Sequence, residues 1–183
     1  MELSHLTNTT QYPSYDAVTV QPMRDELISV GCKELLTPED VDKALGRHDD
    51  KTVLVVINSV CGCSAGSARP AVMVALQNNI IPDELYTLFG GMEKDAIDRY
   101  RSKYLPGYVP SSPHIALFRN GEPVAIFQRS DIEGNKAESI RNELVNLFNK
   151  ECNNTGPSIS VKDFEKLTHG RYGCYTESSK NKE

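Results

Sequence analysis

A chain of 183 residues is long enough for one domain with its own core and a short extension, while two full domains would be cramped. Its 20 Lys and Arg against 25 Asp and Glu leave a formal charge of -5, which speaks against a nucleic-acid footprint or an anionic membrane surface and points to proteins or small molecules as partners. The start, MELSHLTNTTQYPSYD, lacks the basic and apolar regions of a secretory signal, and no apolar run approaches a membrane span, so the expected location is the cytoplasm.

Residues 1–20 are polar, carry Pro13 and show no clean period, and are expected to form an N-terminal arm. PMRDELISVG then sets Met23, Leu27, Ile28 and Val30 near one helical face, with Gly31 as a stop. In LLTPEDVDKAL, Thr37 as N-cap, Pro38 at the first helical position and Asp40 three residues after the cap predict a second helix. TVLVVIN, Thr52 to Asn58, is an unbroken apolar and β-branched run suited to the centre of a sheet covered on both faces. A helix is expected from the following cysteines to about Asn79, kinked at Pro70.

ELYTLFG predicts a second strand, and EKDAIDRYRSKYL a helix with Ile97, Tyr100, Tyr104 and Leu105 on one face. HIALFRNGEPVAIFQR predicts a hairpin turning at Asn120-Gly121, and KAESIRNELVNLF a closing helix with Ala137, Ile140, Leu144, Leu147 and Phe148 inward. From Thr52 the order is strand, helix, strand, helix, strand, strand, helix. That order predicts an α/β domain over residues 21–152 with a central mixed sheet and helices on both faces, the arrangement of a thioredoxin-like fold. Residues 153–183 read as a polar extension: NNTGPS is linker-like, and Val161, Phe164 and Leu167 mark a weak amphipathic turn that either docks or stays mobile.

Five cysteines, Cys32, Cys61, Cys63, Cys152 and Cys174, are an odd number without the density of a disulfide scaffold. Two of them sit in VLVVINSVCGCSAGSARPAV, at the carboxyl end of the predicted central strand where a helix begins. Unsatisfied N–H groups and the positive dipole end of a helix stabilise a thiolate there, and the thiolate is the attacking species in disulfide exchange. Gly62 offers a wide choice of backbone angles for the small ring that a Cys61–Cys63 disulfide closes. Such a ring is expected to be strained and easily reduced, as suits an oxidant, an isomerase or a resolver of mixed disulfides. Alternatively, Cys61 forms a mixed disulfide released by Cys63, by a distant cysteine or by an external thiol.

Two other readings stand beside this one: buried core cysteines, and a non-enzymatic module whose thiols hold a soft metal. No C-x-x-C or H-x-x-x-H pair completes a four-ligand zinc site, and no metal ligand is assigned. Arg69 lies more than two helical turns after Cys61, so a packing or surface role is expected for it. His114 either influences the thiolate or simply begins a strand. His169 and Cys174 have poor metal spacing, and Cys32 and Cys174 read as structural or incidental.

VVINSVCGCSAGSARPA at 55–71, with PMRDEL at 22–27, PSSPHIAL at 110–117 and DIEG at 131–134, resembles the bacilliredoxin A/B (YphP-like) family, small thioredoxin-fold proteins with a Cys-Gly-Cys site. The likeness covers roughly residues 20–152; the Cys-Gly-Cys segment with the following Ala-Arg-Pro is specific, and the other segments are supportive. It implies that Cys61 attacks the mixed disulfide between a protein cysteine and bacillithiol, and that Cys63 is the second redox cysteine. It implies a cis-proline at Pro113 beside the site. It also makes Cys152 a candidate resolving cysteine, although four residues after Phe148 burial fits equally. Glu133 and Gly134 match an acidic-glycine pair, either substrate-facing or a turn.

Gly62, Ser112, Pro113 and Glu133 are the candidate substrate-binding positions. The expected activity is that of a thiol-disulfide oxidoreductase releasing bacillithiol or a similar low-molecular-weight thiol. Disulfide isomerisation or general disulfide reduction is the alternative, and soft-metal binding the reading from another class. No cofactor is expected beyond bacillithiol as thiol substrate or co-reductant. The expected partners are bacillithiolated client proteins and a low-molecular-weight thiol or dedicated reductase, with neither nucleic acid nor membrane.

Overall fold

The computed structural model describes residues 11–169. A strand with no polar face must be covered on both sides, and β2 (Thr52–Asn58) lies at the centre of a five-stranded sheet with every residue buried. On one side β4 (Glu84–Phe89) runs parallel to it, with β1 (Lys33–Glu34) parallel beyond. On the other side β5 (His114–Arg119) and β6 (Glu122–Phe127) follow as an antiparallel hairpin. Asn120 and Gly121 both have positive φ, 53° and 78°, which the tight hairpin turn requires.

Side chains alternate across a strand, so β2 and β5 each feed two cores. Leu54, Val56, Ile115 and Leu117 pack on one face with residues of α1 (Ala17–Ile28), α3 (Arg69–Ala75) and α6 (Ala137–Glu151). Val53, Val55, Ile57, Ala116 and Phe118 pack on the other with α2 (Pro38–Leu45), α4 (Lys94–Arg99) and the π-helical turn Tyr100–Tyr104 that continues α4. A mixed sheet with helices on both faces is the expected thioredoxin-like arrangement.

Helix α1 starts at Ala17, inside the segment expected as an arm. Asp16 accepts the Thr19 N–H at 3.0 Å as its N-cap, and Pro22, expected near the start, sits inside and removes a single ladder bond. Ser14 N–H donates to the Gly91 carbonyl and Gln11 to Asp98, so residues 11–16 lie on the domain. Around Pro70 the expected kink takes the form of a π-helical turn, Ser64–Ala68, where the Arg69 N–H reaches the Ser64 carbonyl.

Four short elements were not expected: β1, β3 (Ile80–Ile81) with β7 (Asn154–Thr155), which pair as a separate ribbon, and α5 (Arg129–Ile132). Elements this short carry no periodicity to read. The open question about the extension is settled up to residue 169 in favour of docking. Helix α7 (Val161–Thr168) is capped by Ser160 and places Phe164, 1 % exposed, in the α1, α3 and α6 core.

Candidate active site

Three chain segments meet at the carboxyl end of the parallel strands. β2 ends at Asn58, β4 ends at Phe89, and β5 begins at His114, which is in register with Ile57. The Gly90 N–H donates to the Asn58 carbonyl at 2.8 Å, and a Cβ on Gly90 would stand 3.2 Å from Ser112 Oγ. The Ser112-Pro113 peptide bond is cis. The loop carrying Cys61, the end of β4 and the Pro113 loop therefore share one edge of the sheet.

Cys61 occupies the N-terminal end of the helix that runs through Cys63 and the π-helical turn into α3; its carbonyl accepts from the Ser64 and Ala65 N–H groups. Its sulfur stands where an N-cap oxygen would. The Ser64 N–H, shared with the Cys61 carbonyl, also points to Cys61 Sγ at 3.3 Å, and the Ser59 hydroxyl donates to the same atom at 3.1 Å. Donors that face sulfur favour the thiolate over the thiol. Cys61 and Cys63 form a disulfide with Cα atoms 5.5 Å apart, and both are partly exposed.

Gly62 is not in the left-handed region, and a Cβ there would meet nothing beyond its chain neighbours. The wide choice of backbone angles expected of this glycine is not drawn on here: no left-handed φ demands it, and a Cβ would meet open space.

The loop is held from below by Arg69, which is 4 % exposed. Its Nη1 donates to Asn58 Oδ1 at 3.1 Å, to the Ser59 carbonyl at 3.0 Å and to Ser64 Oγ at 3.2 Å, and its Nε donates to Glu26 of α1 at 2.8 Å. Ser64 Oγ and the Ser59 N–H both donate to Asn58 Oδ1, while Asn58 Nδ2 donates to the Met23 carbonyl. Asn58, Ser59, Ser64 and Arg69 were not singled out from sequence as parts of the site, and the expected surface alternative for Arg69 is wrong. A helical side chain leans toward the N-terminus, so arginine reaches back to the strand-to-helix loop although its own Cα lies more than two turns on. Beside it, a cavity of about 440 Å³ is lined by Glu26, Ala65, Arg69, Met73 and Thr168 among others.

Other residues singled out from sequence lie elsewhere. His114 begins β5 and faces the opposite side of the sheet, where its Nε2 meets the buried Tyr100 hydroxyl at 3.0 Å. Burial, with the Arg101 charge, lowers its pKa to about 4, so it stays neutral near pH 7 and does not approach the sulfurs. Cys152 is 4 % exposed at the other end of β2, beside Thr52; burial raises its pKa to about 11. Six strand steps at about 3.3 Å each put roughly 20 Å between that end and the Cys61 end. The structure does not bring Cys152 to Cys61, against the candidate resolving role, because the helix that ends in Cys152 runs back to the start of β2.

Cys32 is buried, with its pKa raised to about 12, and Cys174 lies outside the described residues. His169 closes α7 in a left-handed conformation, φ 48°. Glu133 is exposed at the end of α5 and pairs with Arg129. Its loop borders the site: the Arg129 N–H donates to Ser111 Oγ at 3.3 Å, and Ser67 Oγ donates to the Asn135 carbonyl at 2.7 Å. No group of three or more His, Cys, Asp or Glu among the described residues is placed to hold a metal ion.

A family model described as disulphide isomerase matches residues 15–152, the stretch that contains Cys61, Cys63 and the Ser59, Ser64 and Arg69 network. A bacilliredoxin of Salinibacter ruber is 47 % identical over 143 residues, covering 78 % of this chain and 83 % of its own length. The chain belongs to the bacilliredoxin family. A Staphylococcus aureus bacilliredoxin is likewise 47 % identical over 133 residues, 73 % of this chain and 90 % of that one. Membership makes the protein a thiol-disulfide oxidoreductase of thioredoxin-like fold. The family match ends at Cys152, so β7 and α7 are additions beyond it. No helix among the described residues is long and apolar enough to cross a membrane.

Proposed function

We propose that this protein removes bacillithiol, or a low-molecular-weight thiol like it, from mixed disulfides on client proteins in the cytoplasm. The single observation that carries the reading is Cys61: partly exposed, at a helix N-terminus, with the Ser59 hydroxyl and Ser64 N–H on its sulfur and a disulfide partner two residues away. The Cys61 thiolate attacks the small thiol's sulfur in the mixed disulfide. A Cys61–small-thiol disulfide forms, and the client cysteine leaves as its thiolate. Cys63 then attacks Cys61 Sγ, releasing the small thiol as thiolate and closing the Cys61–Cys63 disulfide. Two electrons from a low-molecular-weight thiol or a dedicated reductase reopen it.

Gly62 leaves room for the incoming disulfide, while Ser112, Pro113 and, on the rim, Glu133 border the client. The cavity beside Ala65, one helical turn from Cys61, has the size of a small-ligand site and offers space for the small thiol's body. The test is release of bacillithiol from a bacillithiolated client, followed by intact mass. Cys63→Ala should accumulate a mixed disulfide on Cys61 and Cys61→Ala should release nothing; release undiminished without Cys61 would refute the assignment.

The family model's description favours a second reading, disulfide isomerisation. Reactivation of a client with scrambled disulfides, at a rate that exceeds release of the small thiol, would put that reading first.

A further inference from the structure

Arg69 is a buried guanidinium in a site whose chemistry needs no cation in contact with substrate, and charged groups stay buried only where their partners hold them. Its partners fall into two sets. Glu26, on α1, takes Nε at 2.8 Å. Asn58 Oδ1, the Ser59 carbonyl and Ser64 Oγ, all between the end of β2 and the first helical turn, take Nη1. The residues on that second side include both that donate to Cys61 Sγ, Ser59 through its hydroxyl and Ser64 through its N–H.

We infer that Arg69 is a positioning residue for the Cys61 thiolate: anchored by Glu26, it holds the Ser59 and Ser64 donors on the sulfur, and thereby sets how readily Cys61 ionises. Ser59 touches the reacting atom and is the catalytic member of the set; Arg69 and Glu26 act through it and through Ser64. A planar guanidinium with a fixed fork of donors can serve three acceptors and a carboxylate together. An ammonium at the same place is a point charge and cannot span them. Because Glu26 belongs to α1, the helix that precedes the sheet becomes part of the redox site.

The inference rests on the reading of Cys61 as nucleophile, and the experiment separates the two. Full-length reduced protein carrying Cys63→Ser is alkylated with iodoacetamide across pH 5–10, and modification of Cys61 is followed by peptide mass. A Cys61 that ionises like an ordinary thiol in this parent would overturn the nucleophile assignment itself. Given an activated parent, Ser59→Ala and Arg69→Gln should each raise the apparent Cys61 pKa by about one unit, a tenfold loss of thiolate at pH well below it. Glu26→Gln should shift it in the same direction by less, and Arg69→Lys should fall between Arg69→Gln and the parent.

If Arg69 acts through the donors, Ser59→Ala combined with Arg69→Gln must shift the pKa by less than the sum of the single shifts. Full additivity would assign Arg69 a direct field effect and overturn the positioning role. Should Arg69→Gln fail to fold, Ser59→Ala and Glu26→Gln decide the matter: an unchanged Cys61 profile in both rejects the inference.

Discussion

At the Thr52 end of β2, the Cys152 thiol is enclosed and has its pKa raised to about 11 by burial. Past the Asn58 end, Cys61 is partly exposed and its sulfur faces a serine hydroxyl and a first-turn N–H. Both cysteines sit at a helix end and next to the same strand, yet Cys61 begins its helix while Cys152 follows the last residue of α6. Unpaired N–H groups point out of a helix start and unpaired carbonyls out of its end, so one environment stabilises negative sulfur and the other does not. Reactivity follows the polarity of the helix end and access to solvent; cysteine content alone does not distinguish the two.

The contrast can be broken most decisively by mutation. Replacing Cys61 with Ala should lower small-thiol release by about a thousandfold or more, whereas Cys152→Ala should keep the rate within about twofold; steady-state release assays check both. A large loss with Cys152→Ala would undo the separation of the two ends. Next in size is alkylation of the reduced native protein at pH 7.5. Cys61 should react more than about a hundredfold faster than Cys152, because a thiol with a pKa about 11 is almost entirely protonated there. In denaturant the two rates should converge.

A smaller effect sharpens the difference between the two faces at the Cys61 end. His114, on the face away from α3, has a folded pKa of about 4 against an unpaired 6.5. Between these values the unfolded chain binds a proton that the folded chain refuses. Stability from this group is therefore complete above pH 6.5 and falls as pH drops toward 4, by about 3 kcal/mol. Urea titrations at pH 7.5, 6 and 4.5 should show this decline, and His114→Gln should flatten it. The Cys61 alkylation profile should not move in that variant.

The smallest expected effect concerns the rim. The Arg129–Glu133 pair is solvent-exposed, so Glu133→Gln should leave Tm unresolvably changed. Under the proposed function, in which it borders the client, it should alter KM for a bacillithiolated protein without altering kcat.

Much of the fold was legible because its signals are local. The run TVLVVIN has no polar face, Thr37, Pro38 and Asp40 spell a helix start, and Asn120-Gly121 spells a hairpin; each is found where expected. Asp16 as an N-cap was equally readable and was obscured by Pro22, which a helix tolerates inside when packing supplies the rest. The two-residue strands β1, β3 and β7 left no periodic trace, since a bridge of two residues exists only through its partner.

By itself the sequence determined that two cysteines follow the central strand at a helix start, because the apolar run and the Cys-Gly-Cys that ends it are contiguous. Only the tertiary structure decided which groups surround those sulfurs. Arg69, Glu26 and Ser59 come together through a side chain that leans back along its helix and a first helix that packs across it. The same holds for Cys152, which four-residue spacing left equally suited to resolving or to burial, and which the direction of α6 carries to the far end of β2. Local pattern specifies which way a residue's own element runs; which distant element lies against it follows from how the two cores pack.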